Sequence, residues 1–184
     1  MSTLVFTYGS MMNEAEFQRR CPGGQFAFIG VLPDRELCFP RNSVTRGGGV
    51  AGVRNRIGAS TWGVVWSVSY REILTLDAAE GYDPLRAPER NSYNRRSATA
   101  WRDGDALQPV LVDFYDAVPV PNPPAPSIGY LRLINEGARK HKLPSAYITF
   151  LENILGSRCF VKPAADGGGF TPSQANSGRS MGPT

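Results

Sequence analysis

Apolar and polar residues alternate in short runs over the first two thirds of the chain and recur at helical spacing near its end. Leu4 and Phe6 alternate with Val5 and Thr7, so Thr3–Tyr8 predicts a central strand. Asn13 is placed to cap a short helix over Glu14–Arg20, which Cys21-Pro22-Gly23-Gly24 stops. Gln25–Pro33 and Arg35–Phe39 predict two strands joined near Pro33-Asp34. Arg41–Gly49 predicts a polar loop, Val50–Arg54 a short strand and Asn55–Ser60 a turn. Thr61–Val68 is nearly continuous in apolar residues, the pattern of a strand buried on both faces.

Ser69 is placed to cap a helix over Tyr70–Ala79, with Ile73, Leu74 and Leu76 facing inward and Glu80 at its end. After a proline-interrupted loop from Asp83 to Arg90, Tyr93–Trp101 and Leu107–Tyr115 predict a hairpin across Arg102-Asp103-Gly104-Asp105. Pro119–Pro126 is an extended connector. Ser127–Lys142 predicts a helix with Ile128, Leu131, Ile134 and Ala138 on its inner side. Ser145–Leu155 predicts another, with Ala146, Phe150, Leu151 and Ile154 inward. Six or more closely spaced strands followed by two helices predict an α+β fold with a curled, barrel-like sheet. Residues 1–160 read as one domain. Residues 161–184, rich in glycine, serine and proline without periodicity, read as a disordered tail.

Composition narrows the function. A chain of 184 residues with 41% hydrophobic and 20% charged residues is expected to be a soluble globular protein. No apolar run is long enough to cross a bilayer, and Met1–Phe6 lacks the basic flank of a secretory signal, so a cytoplasmic setting is expected. The formal charge of +4 is modest and the arginines are scattered, which argues against a nucleic-acid partner. Cys21, Cys38 and Cys159 fit neither a disulfide framework nor a zinc pattern and read as reduced thiols, two of them partly buried. The single histidine, His141, follows charged residues at a helix end and reads as a solvated cation supporting the helix dipole. Neither a metal nor a cofactor is expected.

Two stretches carry candidate chemistry. In Leu76-Asp77-Ala78-Ala79-Glu80-Gly81-Tyr82 a carboxylate ends a helix. There the negative end of the dipole, with apolar neighbours such as Trp62 and Trp66, would raise its pKa and suit it to proton transfer. An ordinary surface glutamate before a turn satisfies the same spacing. In Phe6-Thr7-Tyr8-Gly9-Ser10 a strand ends in a tight turn whose backbone N–H groups can converge on an anion, and a plain strand-to-helix turn has the same sequence. Arg41, beside Pro40 and Asn42, is either a solvated loop residue or a partner for a substrate carboxylate.

Taken together, these stretches resemble the γ-glutamylcyclotransferase family, also called AIG2-like. The resemblance runs through Phe6-Thr7-Tyr8-Gly9-Ser10-Met11-Met12, Trp62-Gly63-Val64-Val65-Trp66, the Leu74–Tyr82 motif, and Tyr130–Tyr147 with its Gly137-Ala138 and Leu143-Pro144. It implies a small mixed β-barrel flanked by helices. It assigns Glu80 as the catalytic residue and Tyr8, Gly9, Ser10 and Met11 as the turn that holds a γ-glutamyl group. Tyr115 and Tyr130 are implied as pocket aromatics, with Tyr93 a less secure match. Met11 departs from the family pattern, which has asparagine there. The implied reaction cyclises a small γ-glutamyl amide or dipeptide to 5-oxoproline, placing the chain in glutathione or related metabolism. A catalytically silent domain that binds γ-glutamyl groups or small anions on the same fold is the rival reading.

Overall fold

A computed structural model describes residues 2–159. The segment expected to be a tail lies outside the described residues. The elements in chain order are β1 (Ser2–Thr7), α1 (Glu14–Gln18), β2 (Gln25–Ser43), β3 (Gly48–Ser69), α2 (Tyr70–Ala79), β4 (Tyr93–Arg102), β5 (Pro109–Ala117), α3 (Ile128–Lys140) and α4 (Ser145–Cys159). The strands close into a barrel in the order β1-β3-β2-β4-β5. All neighbours are antiparallel except β1 and β5, which close the barrel in parallel at Val5 and Asp113. The expected α+β barrel is therefore present, built from five strands rather than six or more.

The difference lies in β2 and β3. Pro33-Asp34 and Asn55–Ser60 are local turn signals, but they sit opposite each other in the ladder. Pro33 pairs with Ser60 and Arg35 with Asn55, so the irregularities of the two strands absorb one another. Asp34 adopts φ 54° and its Oδ1 accepts from the Gly58 amide at 2.8 Å. A proline without an N–H is tolerated at such a bulge. Pairing also continues through Arg41, Asn42 and Ser43 to Val50, Gly49 and Gly48, so most of the expected polar loop is strand.

Val5, Phe6, Val64, Val65 and Trp66 are essentially inaccessible and form the centre of the core with Phe17, Ile134 and Leu151. Each such side chain contributes about 1.5–3 kcal/mol by leaving water. Trp66 stacks on Phe17 at 4.2 Å between ring centroids and donates from Nε1 to Thr7 Oγ1 at 3.0 Å. Thr7 Oγ1 donates in turn to the Val64 carbonyl, which fixes the end of β1 where the chain turns. Asn13 caps α1 by accepting from the Ala15 and Glu16 amides.

Several expected inward residues lie outside. On α2 the buried side is Ile73, Leu76 and Asp77, and Leu74, one residue round the helix, is half exposed. Ile128 opens α3 and is exposed. Tyr147 and Leu151 carry the inner side of α4, so Ala146 and Phe150 face outward. His141 is not a solvated cation. Its ring stacks on Phe26 and meets the edge of Trp66, at centroid distances of 5.0 and 5.2 Å, and burial pushes its pKa below the usual 6.5.

Candidate active site

Helix α2 is built to present its last residue. Ser69 and Glu72 form a reciprocal capping box at its start. At its end Gly81 adopts φ 64°, the Tyr82 amide donates to the Asp77 carbonyl at 2.8 Å, and the Gly81 amide donates to the Ala78 carbonyl at 3.2 Å. This pair of bonds needs a left-handed residue after the cap, which glycine supplies without strain. Glu80 occupies the cap itself.

Glu80 lines a cavity of about 520 Å³ bounded by the Tyr8–Met11 turn, the end of α2, Arg41–Ser43 and three tyrosines, Tyr93, Tyr115 and Tyr130. Among the described residues no protein group hydrogen-bonds or ion-pairs its carboxyl. Burial raises its pKa above the ordinary carboxylate value, while the Arg20 and Arg46 guanidiniums pull it back. Trp62 and Trp66, expected beside it, do not line the cavity. Trp66 is engaged with Phe17, Phe26 and His141 instead.

One helical turn before Glu80, Asp77 uses both carboxylate oxygens. It accepts from the Tyr115 hydroxyl at 2.8 Å and from Arg95 Nη1 at 3.0 Å. These bonds tie the last turn of α2 to β5 and β4. The Tyr115 carbonyl accepts from the Tyr8 hydroxyl at 2.5 Å, which extends the link to the turn after β1. Tyr93 donates to the Ala51 carbonyl at 3.0 Å, and the Tyr130 hydroxyl accepts from the Ala51 amide at 3.0 Å. Burial raises the pKa of all four tyrosines, and the Glu80 charge raises each further.

The turn itself is a single 3-10 stretch over Ser10–Met12. The Met12 and Asn13 amides donate back to Gly9 and Ser10. The Ser10 amide faces the Tyr130 hydroxyl. The Gly9 and Met11 amides have no acceptor among the described residues. Met11 places its thioether against Arg20, whose Nη1 donates to it at 3.1 Å. Arg20 has no carboxylate partner among the described residues. Arg46 pairs with Glu16 and lies 6.0 Å over the Tyr130 ring. Arg41 lines the cavity rather than standing in solvent, anchored to the Val118 carbonyl and Ser92 Oγ.

The residues singled out in the sequence thus meet: Glu80, Tyr8, Gly9, Ser10, Met11, Tyr115 and Tyr130 line one cavity, and Tyr93 joins them. Asp77, Arg20 and Arg46 were missed. Asp77 was findable, three residues before Glu80 in the same motif and therefore on the same helix side. Nothing local marks Arg20 or Arg46, which the fold alone brings to the cavity. Chemically the arrangement offers a carboxyl of raised pKa, hydroxyl and amide donors, and an excess of cations. Among the described residues no group of three or more His, Cys, Asp or Glu side chains is placed to hold a metal ion, and no helix is long and apolar enough to cross a membrane.

The chain is similar to known proteins in both sequence and fold. The chain is 28% identical over 157 residues to a gamma-glutamylcyclotransferase of Homo sapiens, covering 83% of this chain and 79% of the relative. It is 27% identical over 162 residues to a gamma-glutamylcyclotransferase of Bos taurus, with the same shares. A solved gamma-glutamyl cyclotransferase structure superposes with a TM-score of 0.73 at 24% identity, covering 93% of this chain and 94% of that one, a likeness of fold. The model of the AIG2-like family matches residues 60–151, half of the chain and the half that holds Asp77, Glu80, Tyr93, Tyr115 and Tyr130. The chain belongs to the AIG2-like family.

Proposed function

We propose that this protein is a γ-glutamyl cyclotransferase that releases 5-oxoproline from a small γ-glutamyl amide or dipeptide, with Glu80 moving the protons. One observation carries the reading: a carboxyl of raised pKa, unpaired among the described residues, lines the same cavity as the turn after β1. In the reaction the substrate α-amine attacks its own γ-carbonyl carbon. A ring C–N bond forms, the γ-amide C–N bond breaks, and the displaced nitrogen leaves as an amine. The attack is intramolecular, so holding the substrate in the folded-back geometry supplies much of the acceleration. Glu80 takes the proton from the attacking amine and returns one to the leaving nitrogen. A carboxyl with raised pKa is suited to both tasks near neutral pH. The Gly9 and Met11 amides, and Arg20, which has no carboxylate partner among the described residues, are placed to hold substrate carboxylates. The arginine excess in the wall supports an anionic substrate.

The test is Glu80→Gln, which keeps shape and removes the proton acceptor. With γ-glutamyl-alanine as substrate, 5-oxoproline release should fall by about 10³-fold. Full activity in the folded variant overturns the assignment. Binding of γ-glutamyl-alanine by the parent protein without any turnover supports the silent-domain reading.

A further inference from the structure

The tyrosines around Glu80 differ in what their hydroxyl hydrogens do. Tyr8 donates to the Tyr115 carbonyl, Tyr93 to the Ala51 carbonyl and Tyr115 to the Asp77 carboxylate. Those three hydrogens are committed to protein acceptors. Tyr130 is the reverse case. Its oxygen accepts from the Ala51 amide at 3.0 Å and faces the Ser10 amide. With its oxygen already accepting from the Ala51 amide, its own hydrogen needs a separate acceptor, and among the described residues no hydrogen bond takes it. A phenol that accepts amide hydrogens becomes a stronger donor, since hydrogen bonds in series polarise one another. The Arg46 guanidinium over the ring, 6.0 Å from its centroid, acts in the same direction. Gly9 keeps the approach open, because a Cβ there would come within 3.0 Å of the Tyr130 oxygen.

We infer that Tyr130 is a catalytic hydrogen-bond donor: its hydroxyl meets the substrate γ-carbonyl oxygen, which gains negative charge as the α-amine adds to the carbon. The Ala51 and Ser10 amides preorganise it, so the donor is aimed before substrate arrives. The other tyrosines shape the cavity and position neighbours, whereas Tyr130 touches the reacting group. No proton leaves Tyr130 in this step. The hydrogen bond strengthens as the tetrahedral species forms and weakens as the amine departs. This role rests on the cyclotransferase reading above.

The experiment compares parent, Tyr130→Phe and Glu80→Gln proteins on γ-glutamyl-alanine, reading kcat and KM separately. Tyr130→Phe should lower kcat by about 100-fold, the usual cost of deleting one donor to a developing oxyanion, while KM changes less than about threefold. A melting curve checks that this variant is folded at the assay temperature. Because phenylalanine also strips the Ala51 amide of its acceptor, a second protein carries 3,5-difluorotyrosine at position 130. That side chain keeps the hydroxyl and the acceptor but donates more strongly, and kcat should shift at least twofold with KM steady. Folded Tyr130→Phe with parental kcat, or a fluorinated protein with unchanged kcat, overturns the inference. If Glu80→Gln is fully active, the cyclotransferase mechanism falls. If only Tyr130→Phe is, this inference alone falls.

Discussion

The molecule has a second cavity, about 560 Å³ against about 520 Å³ for the first, and the two share a strand. Tyr115 and Asp116 are neighbours on β5, and one lines each cavity. The second is bounded by Cys38–Pro40, Val53–Asn55, Asp116, Ala117 and prolines of the connector. Its charged groups are already paired. Asp116 accepts from Arg96 Nε at 3.1 Å, and Arg54 pairs with Glu36. In the first cavity a carboxyl, a phenol hydrogen, two amides and a guanidinium lack a carboxylate or carbonyl partner among the described residues. Volume does not separate the two cavities, but the stock of unanswered groups does, and that stock fits one for chemistry.

Glu80→Gln breaks this contrast most completely, and it carries a second expectation beyond lost activity. Burial holds more protons on Glu80 in the folded than in the unfolded protein. Stability therefore falls as pH rises from the unfolded value, ordinarily near 4.5, through the raised folded value. Glutamine has no such loss. Melting temperatures of parent and variant should converge in acid, and the variant should be the more stable at neutral pH. The parent rate should also fall on its acid side at a pH above the ordinary carboxylate range, as the base is protonated. An acid limb at the ordinary value, with no stability gap at neutral pH, would place Glu80 in water.

Asp77→Asn tests how the first cavity is held in shape. The substitution removes the charge facing Arg95 and weakens the bond from Tyr115, with a stability loss of about 2 kcal/mol expected. The end of α2 is then less firmly tied to β5, so kcat should fall about tenfold, the equivalent of about 1.4 kcal/mol. Chemical denaturation and steady-state rates check both. Parental kcat in a destabilised variant would show that Asp77 supports the fold without positioning Glu80.

Arg20→Gln is a milder probe. It removes the one cavity cation that has neither a carboxylate nor a carbonyl partner among the described residues. KM for γ-glutamyl-alanine should rise about tenfold with kcat little changed, as expected for loss of a charge-assisted contact made equally in ground and transition states. An unchanged KM would leave Arg20 as a support for Met11 alone.

The elements legible in the sequence are those whose signals are local. β1, α2 with its Ser69 cap, and the β4–β5 hairpin follow from periodicity and capping, as does the place of Glu80 at the end of α2, whereas its choice over an ordinary surface glutamate came from the family resemblance. The two long strands were not legible, because the turn signals at Pro33-Asp34 and Asn55–Ser60 are cancelled only by facing each other. The buried sides of α2 and α4 were misread by one residue at Leu74 and Phe150, a distance that a short helix leaves ambiguous. In the site, Tyr115 and Tyr130 came from family resemblance, as no local pattern marks them. Arg20 and Arg46 had no signal at all, since their place depends on where α1 and the β2–β3 turn come to rest.

Cys38 offers the smallest effect and the sharpest control. It borders the second cavity, is only partly buried, and burial pushes its thiol above the usual value, so at neutral pH it is protonated and a poor nucleophile. Cys38→Ala removes one sulfur from a partly solvated wall. The expected stability loss is about 1 kcal/mol, a melting shift of about 2–4 °C. kcat and KM on γ-glutamyl-alanine should stay within about twofold of the parent, because Cys38 does not line the first cavity. Alkylation at neutral pH, followed at the Cys38 peptide by mass spectrometry, should be slower than for a free thiol. Rapid labelling accompanied by loss of activity would mean that the second cavity holds a reactive group coupled to the chemistry. The distinction between the two cavities would then rest on something other than their unanswered groups.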